Sequence, residues 1–145
     1  MKGTEDRQQT VLCCVGTRPE VIKMAPVIRA LRRSSWARCR VLATAQHREL
    51  LDQMLAFFDL AADVDLDIMT ENQTLPALTS RLIVRLDCTL AEEKPDMVLA
   101  QGDTTTVFVS ALASFYRRIP FGHVEAGLRS HNLGSPFPEE ANRVL

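Results

Sequence analysis

Short apolar runs alternate with longer amphipathic stretches along this chain of 145 residues. Four runs rich in β-branched and aliphatic residues predict buried strands: TVLCCV (10–15), RVLATA (40–45), MVLA (97–100) and FGHV (121–124). Between the runs, apolar positions recur three or four residues apart, as on the buried side of a helix. This alternation predicts an α/β fold with a Rossmann-like parallel sheet and helices on both faces.

The amphipathic stretches predict helices that begin near Thr17, Gln46, Thr74, Thr104 and Glu139. Pro26 lies inside the first helix and should kink it or restart it. Residues 63–69 alternate acidic and apolar, which predicts a short, half-exposed strand at an edge of the sheet. For the helix after the third run, the predicted buried positions are Val107, Ala111, Leu112 and Phe115.

Composition fits one globular domain, with 46% hydrophobic and 24% charged residues. A net charge of −1 gives no reason to expect nucleic acid or an anionic membrane as partner. No apolar run reaches the about 20 residues of a membrane span, and residues 1–9 lack the apolar core of a signal peptide. We therefore expect a disordered tail over 1–9, a domain over 10–145 and a cytoplasmic protein.

Metal and redox signals are weak in this sequence. Its four cysteines are Cys13, Cys14, Cys39 and Cys88. They show no metal-ligand spacing, and we interpret them as small buried residues in a reducing compartment. We expect no metal site and no cofactor.

Two of the predicted strands are each followed by a carboxylate, Asp103 or Glu125. A strand–helix–strand unit crosses over right-handed into a parallel sheet, so both acids should lie at one sheet edge, where α/β proteins bind ligands. The loops there should bring together Arg18, Lys23, His47, Asp103, Glu125 and Arg129. Paired carboxylates beside cations suit acid–base chemistry on an anionic substrate.

Each of these residues also has a purely structural interpretation. Asp103 could cap its own helix, and Glu125 could be a buried partner of Arg129. Arg18 and Lys23 could be surface residues instead of the phosphate site that an open helix N-terminus predicts. The sequence has neither GxGxxG nor GxxxxGK[ST]. Spacing alone thus indicates an α/β domain that binds a small phosphorylated ligand.

Five motifs carry a resemblance to a known family: GTRPEVIKMAPV (16–27), TAQHRELLDQ (44–53), QGDTTT (101–106), GHVEAGLRS (122–130) and SPFPEEANR (135–143). Together they resemble the non-hydrolysing UDP-N-acetylglucosamine 2-epimerases. The resemblance implies a glycosyltransferase-B-type fold of two Rossmann-like domains, with a UDP-sugar bound between them. It also implies that this chain is a fragment, with an incomplete first domain and no second domain.

The implied reaction interconverts UDP-GlcNAc and UDP-ManNAc by anti elimination of UDP and re-addition, for cell-surface polysaccharide synthesis. By resemblance, the catalytic carboxylates are Asp103, Glu125 and Glu139, and the substrate-binding residues are Arg18, Lys23 and Arg143. A second, activating UDP-GlcNAc site would include Gln46, His47 and Glu140. The family also implies a homodimer in the full-length form.

Three other functions stay open at this point. The parent protein could be a hydrolysing 2-epimerase, a UDP-sugar-binding glycosyltransferase-B-type domain, or a non-catalytic nucleotide-binding α/β module. Because the family's catalytic histidine lies in the second domain, we expect the isolated chain to be inactive.

Overall fold

The structure, a computed structural model, describes residues 7–44, 48–68, 70 and 72–145. These residues form a five-stranded parallel sheet in the order β3-β2-β1-β4-β5. The strands are β1 (Gln9–Val15), β2 (Ala37–Ala43), β3 (Val64–Asp65), β4 (Met97–Gln101) and β5 (Phe121–Val124). The helices are α1 (Arg18–Arg33), α2 (Arg48–Phe57), α3 (Leu75–Glu93), α4 (Thr105–Tyr116) and α5 (Glu139–Val144).

Alternate residues of β1 point to opposite faces of the sheet and build two separate cores. Val11, Cys13 and Val15 pack with the apolar sides of α1 and α2. Leu12 and Cys14 pack with α3 and α4 on the other face. The prediction of a parallel sheet covered by helices on both faces is confirmed.

The winding of the chain reverses at β1, which lies between β2 and β4. From β1 the chain moves outward through β2 to β3, then returns and moves outward through β4 to β5. In such sheets the loops that leave the two central strands separate and open a crevice at the carboxyl edge. The turns after β1 and β4 therefore frame the expected ligand site.

Two strand predictions needed correction. β2 begins at Ala37, earlier than the predicted 40–45, because it pairs in register with β1 from Gln9 onward. β3 does lie at an edge of the sheet, but it is only two residues long instead of the predicted 63–69. Asp67 has a positive φ of 44°, which turns the backbone out of the extended conformation.

Pro26 does not end α1, contrary to the predicted restart. The helix continues through it to Arg33, and Pro26 is exposed. Ile22, whose carbonyl loses a helical partner at this proline, is also 44% exposed, so water can replace the missing bond.

The buried face of α4 differs from the predicted stripe. Phe115 is 76% exposed, whereas Val107 is buried as predicted. The buried residues of α4 are Thr105, Thr106, Val107, Val109, Ser110, Ala113 and Ser114. Small side chains let the helix approach the sheet closely, so the bulky aromatic ring lies on the outer side.

The tail predicted for 1–9 falls mainly on residues 1–6, which lie outside the described residues; Gln9 already belongs to β1. Within the described part of the chain, no helix combines the length and apolarity needed to cross a bilayer.

Candidate active site

Asp103 and Glu125 follow neighbouring parallel strands and lie at the same edge of the sheet. β4 pairs with β5 up to the Gln101–Val124 register, one or two residues before the two acids. Gly102 adopts a φ of +91°, a conformation that favours glycine, and its N–H donates to the Val124 carbonyl at 3.1 Å. The turn that carries Asp103 is therefore fixed to the end of β5.

Glu125 is held by one cation and one amide. Lys23 Nζ lies 2.8 Å from one carboxylate oxygen, and Gln101 Nε2 donates to the other. The Lys23 ammonium, with smaller contributions from Gln101 and Arg143, holds the pKa of Glu125 below its usual range. The suggested pairing of Glu125 with Arg129 is wrong, because Arg129 binds elsewhere.

The backbone of Glu125 is also unusual. Its φ is +61°, a left-handed conformation that costs a non-glycine residue of order 1 kcal/mol. Such strain persists where the surroundings hold the residue in place, and it is frequent at functional sites. The side chain stays 40% exposed and can reach a ligand at the sheet edge.

Two residues of α5, the last helix of the described chain, hold Asp103 in place. Arg143 Nη2 forms an ion pair with the Asp103 carboxylate, and Asn142 Nδ2 donates to the Asp103 carbonyl at 2.8 Å. Thr104, not Asp103, caps α4, since its hydroxyl accepts from the Val107 N–H. The interpretation of Asp103 as a helix cap is therefore wrong.

The turn after β1 uses two of its N–H groups for an internal contact. Glu20 is only 2% exposed, and one of its oxygens accepts from the N–H groups of Gly16 and Thr17 at 2.5 and 2.9 Å. Its other oxygen accepts from Thr104 Oγ1 at 2.5 Å. Burial raises the pKa of Glu20. Glu20 thus takes up two N–H groups of this turn, which leaves fewer of them for the predicted phosphate.

Gly16 permits the close backbone approach that its position predicted. A Cβ at this position would lie 2.4 Å from Thr44 Oγ1 and 2.6 Å from Thr106 Oγ1. Those hydroxyls also hydrogen-bond to each other at 3.0 Å. The turn after β1 therefore packs directly against β2 and α4.

Glu140 anchors the loop that follows β5. It is fully buried and accepts from Arg129 Nε at 2.9 Å and from the N–H groups of Ser130 and His131 at 3.0 Å each. The Ser130 N–H and the Arg129 guanidinium lower the pKa of Glu140 to about 2. Arg129 therefore does not join Asp103 and Glu125 as predicted.

The structure thus groups only some of the predicted site residues. Lys23 with Glu125 and Arg143 with Asp103 form two cation–carboxylate pairs at one edge. Arg18 is exposed at the start of α1, and Glu139 begins α5; within the described residues neither side chain forms an ion pair or hydrogen bond. Gln46 and His47 lie outside the described residues.

Sequence reasoning missed Glu20, Gln101 and Asn142. A Thr at the start of a helix with a Glu three positions later is the pattern of a capping box, so Thr17 and Glu20 carried a usable signal. Gln101 and Asn142 carried none, because their partners are 24 and 39 residues away in the chain.

Comparison with known proteins places these residues in a family. The profile of the family described as UDP-N-acetylglucosamine 2-epimerase matches residues 29–145. The UDP-N-acetylglucosamine 2-epimerase of Neisseria meningitidis is 56% identical over 135 residues, which are 93% of this chain and 36% of that protein. That of Escherichia coli K12 is 55% identical with the same coverage. The chain spans about a third of these relatives.

Comparison with solved structures leads to the same family. The N. meningitidis enzyme bound to UDP-GlcNAc superposes with a TM-score of 0.89 at 54% identity, over 94% of this chain and 37% of that one. The Methanocaldococcus jannaschii enzyme in complex with UDP-GlcNAc and UDP gives 0.87 at 36% identity, with the same coverage. The predicted fold class, the first half of a glycosyltransferase-B-type fold, is confirmed. With sequence profile, relatives and fold in agreement, the chain belongs to the UDP-N-acetylglucosamine 2-epimerase family.

Proposed function

We propose that this chain is the N-terminal Rossmann-like domain of a non-hydrolysing epimerase that interconverts UDP-GlcNAc and UDP-ManNAc. One observation carries the proposal: Asp103 and Glu125 leave adjacent strand ends, and each carboxylate is paired with a cation. The relatives that share this fold include one solved with UDP-GlcNAc and one with UDP-GlcNAc and UDP.

The chemistry explains why both signs of charge are needed. The C2–H of the sugar has no neighbouring carbonyl, so its direct removal would leave an unstabilised carbanion. Loss of the C2 proton together with departure of UDP from C1 avoids that carbanion and gives a glycal. Return of UDP, with a proton delivered to the opposite face of C2, completes the epimerisation. A base must face C2 while positive charge stabilises the leaving diphosphate.

Glu125 and Lys23 fit these two tasks. Glu125 is kept ionised by Lys23, which is the state a base requires, and it remains accessible. The ammonium that holds Glu125 is also 54% exposed and can turn toward a diphosphate. The Asp103–Arg143 pair offers a second carboxylate and cation at the same edge.

The remaining roles follow from position. Arg18 projects from the start of α1, where the helix dipole also favours an anion. Since Glu20 occupies the turn N–H groups, the Arg18 and Lys23 side chains must supply most of the diphosphate binding on this wall. Glu139, at the start of α5, is the third catalytic carboxylate of the proposal.

A second domain in the rest of the protein would complete the substrate cleft. The relatives are nearly three times as long as the matched segment, which supports this division. We further propose that the full-length protein is a cytoplasmic homodimer in polysaccharide synthesis. Glu140, which is buried and fully bonded, would shape any second UDP-GlcNAc site through the 129–131 loop it holds.

The test measures exchange of the C2 proton with deuterated solvent in a full-length protein that contains this chain. Asp103→Asn and Glu125→Gln should each slow exchange by about 100-fold or more, because each removes a group that carries a proton. Asp87→Asn is the matched control, since Asp87 lies on α3 and pairs with Arg117 at the C-terminal end of α4, away from this edge. Near-normal exchange in both site variants would remove them from the chemistry.

The products of the same assay separate the alternatives. Release of free ManNAc and UDP would indicate a hydrolysing 2-epimerase. Transfer of the sugar to an added acceptor without C2 exchange would indicate a glycosyltransferase. Binding of UDP with neither reaction would indicate a non-catalytic nucleotide-binding module.

A further inference from the structure

Two of the four cysteines lie in contact on neighbouring strands. The Sγ atoms of Cys13 on β1 and Cys39 on β2 are 3.8 Å apart. In the parallel register Cys13 is opposite Val41 and Cys39 is opposite Val11, so the cysteines are diagonal neighbours on the same face of the sheet. All four cysteines are free thiols.

The two thiols differ in access and in charge. Cys13 is fully buried, whereas Cys39 is half-buried. The contact between the two sulfurs, with a smaller contribution from the nearby Arg32, lowers the pKa of Cys39. The same contact and burial raise the pKa of Cys13. The more accessible sulfur is therefore also the one that ionises more readily to the thiolate, which is the form that reacts with oxidants.

We propose that Cys13 and Cys39 are a redox modification site, in which a peroxide oxidises Cys39 and Cys13 resolves the product to a reversible disulfide. These thiols take no part in the epimerisation proposed above and are not among the carboxylates and cations proposed for it.

The steps balance with hydrogen peroxide as the oxidant. The Cys39 thiolate attacks one peroxide oxygen, the O–O bond breaks, and hydroxide leaves, so that Cys39 becomes a sulfenic acid. The Cys13 thiol gives its proton to hydroxide and attacks the Cys39 sulfur. The S–S bond forms as the S–O bond breaks and a second hydroxide leaves. Overall, two thiols lose two electrons, and one peroxide and two protons yield two waters.

Only a short movement separates contact from a bond. A disulfide brings its sulfurs to about 2.05 Å, so the atoms must approach by less than 2 Å from their separation of 3.8 Å. Diagonal neighbours on adjacent strands are typically about 7–8 Å apart, beyond the roughly 4.4–6.8 Å between Cα atoms that disulfides usually span, so β1 and β2 must also move closer together. A bond formed under that constraint should be easily reduced.

The experiment uses the reduced 145-residue chain, titrated with hydrogen peroxide and then digested without reductant for peptide mass mapping. We expect a cross-linked Cys13–Cys39 peptide pair and an intact mass lower by about 2 Da, reversed by dithiothreitol. Cys14→Ser and Cys88→Ser should behave like the unmodified chain. Cys14 faces the opposite core, and Cys88 lies alone on α3.

Two further variants test the order of steps. Cys39→Ser should prevent oxidation of Cys13, and Cys13→Ser should leave a sulfenic acid on Cys39 that a cyclic 1,3-dione traps. Trapped Cys39 without any cross-link in the unmodified chain would overturn the proposal, as would a cross-link that runs through Cys88. Because mapping the unmodified chain needs neither variant nor enzymatic activity, failure here is distinct from failure of the epimerase proposal.

Discussion

Glu20 is a buried carboxylate that, among the described residues, has no cationic partner. It is satisfied instead by two backbone N–H groups and by the Thr104 hydroxyl. Charge-assisted bonds of this kind are about twice as strong as neutral ones and offset part of the desolvation cost. The three donors belong to the turns after β1 and β4, so one side chain couples the loops that carry Arg18 and Asp103.

Replacing Glu20 tests that coupling. Glu20→Ala leaves the Gly16 and Thr17 N–H groups unpaired and should lower the free energy of unfolding by about 3 kcal/mol. Glu20→Gln can keep all three bonds, because its amide oxygen accepts from both N–H groups while its NH₂ donates to Thr104 Oγ1. That variant should stay within about 1 kcal/mol of the unmodified chain. Urea unfolding of the 145-residue chain measures both changes.

The pH dependence gives an independent check on Glu20. Burial raises its pKa in the folded chain, so the ionised form costs stability above that pKa. Relative to Glu20→Gln, the unmodified chain should gain stability as the pH falls through the folded pKa toward the unfolded one. Equal stability of Glu20→Ala and Glu20→Gln would show that the three hydrogen bonds of Glu20 contribute little to the free energy of unfolding.

At the residue scale, strand endings predicted where the candidate site residues lie but not what they contact. The positions of Asp103 and Glu125 at one edge follow from where apolar runs stop, and both were predicted correctly. Their partners were not, since Arg143 and Lys23 reach them from α5 and α1. Ion pairs between residues so far apart in the sequence depend on how the helices pack back onto the sheet. No local sequence pattern encodes that packing.

Among the elements, α4 shows where hydrophobic periodicity misleads. Its buried face is built largely from Thr106, Ser110, Ala113 and Ser114, which the pattern reads as polar or neutral. Ser114 satisfies its hydroxyl within the helix by donating to the Ser110 carbonyl at 2.7 Å. Small hydroxyl residues can therefore face a sheet, and the predicted stripe was rotated toward Phe115 as a result.

The buried side of α3 supports a matched comparison. Leu82 is fully buried, whereas Val84, two residues further along the same helix, is 60% exposed. Leu82→Ala should lower the free energy of unfolding by about 2–5 kcal/mol through lost burial and a cavity. Val84→Ala should change it by no more than about 0.5 kcal/mol. Urea denaturation distinguishes them, and equal losses would contradict the assigned face.

For the whole molecule, the open carboxyl edge is the main feature. The Lys23–Glu125 pair is 54% and 40% exposed at its two side chains, so on this chain the site has one wall. The chain covers 36% of its N. meningitidis relative and 37% of the N. meningitidis enzyme solved with UDP-GlcNAc. A one-walled site can attract an anion but cannot exclude water from a reacting sugar.

We therefore expect the isolated chain to bind UDP weakly and to turn nothing over. Calorimetric titration with UDP should give a dissociation constant near the millimolar range, weakened further in Arg18→Ala, and incubation with UDP-GlcNAc should yield no UDP-ManNAc. Asp87→Asn again serves as the control, since Asp87 on α3 pairs with Arg117 at the C-terminal end of α4. Measurable UDP-ManNAc from the purified chain would show that the second domain is not required.

Local patterns in the sequence were enough to predict the α/β class, most strand positions, the edge strand and the edge that carries Asp103 and Glu125. These features depend on residues a few positions apart. They can therefore be predicted from the spacing of apolar residues and from the positions where apolar runs end. The partners of the carboxylates, the hydrogen bond between Thr104 and Glu20 and the Cys13–Cys39 contact required the folded chain. They join residues far apart in sequence, and only the packing of helices and strands brings such groups within bonding distance.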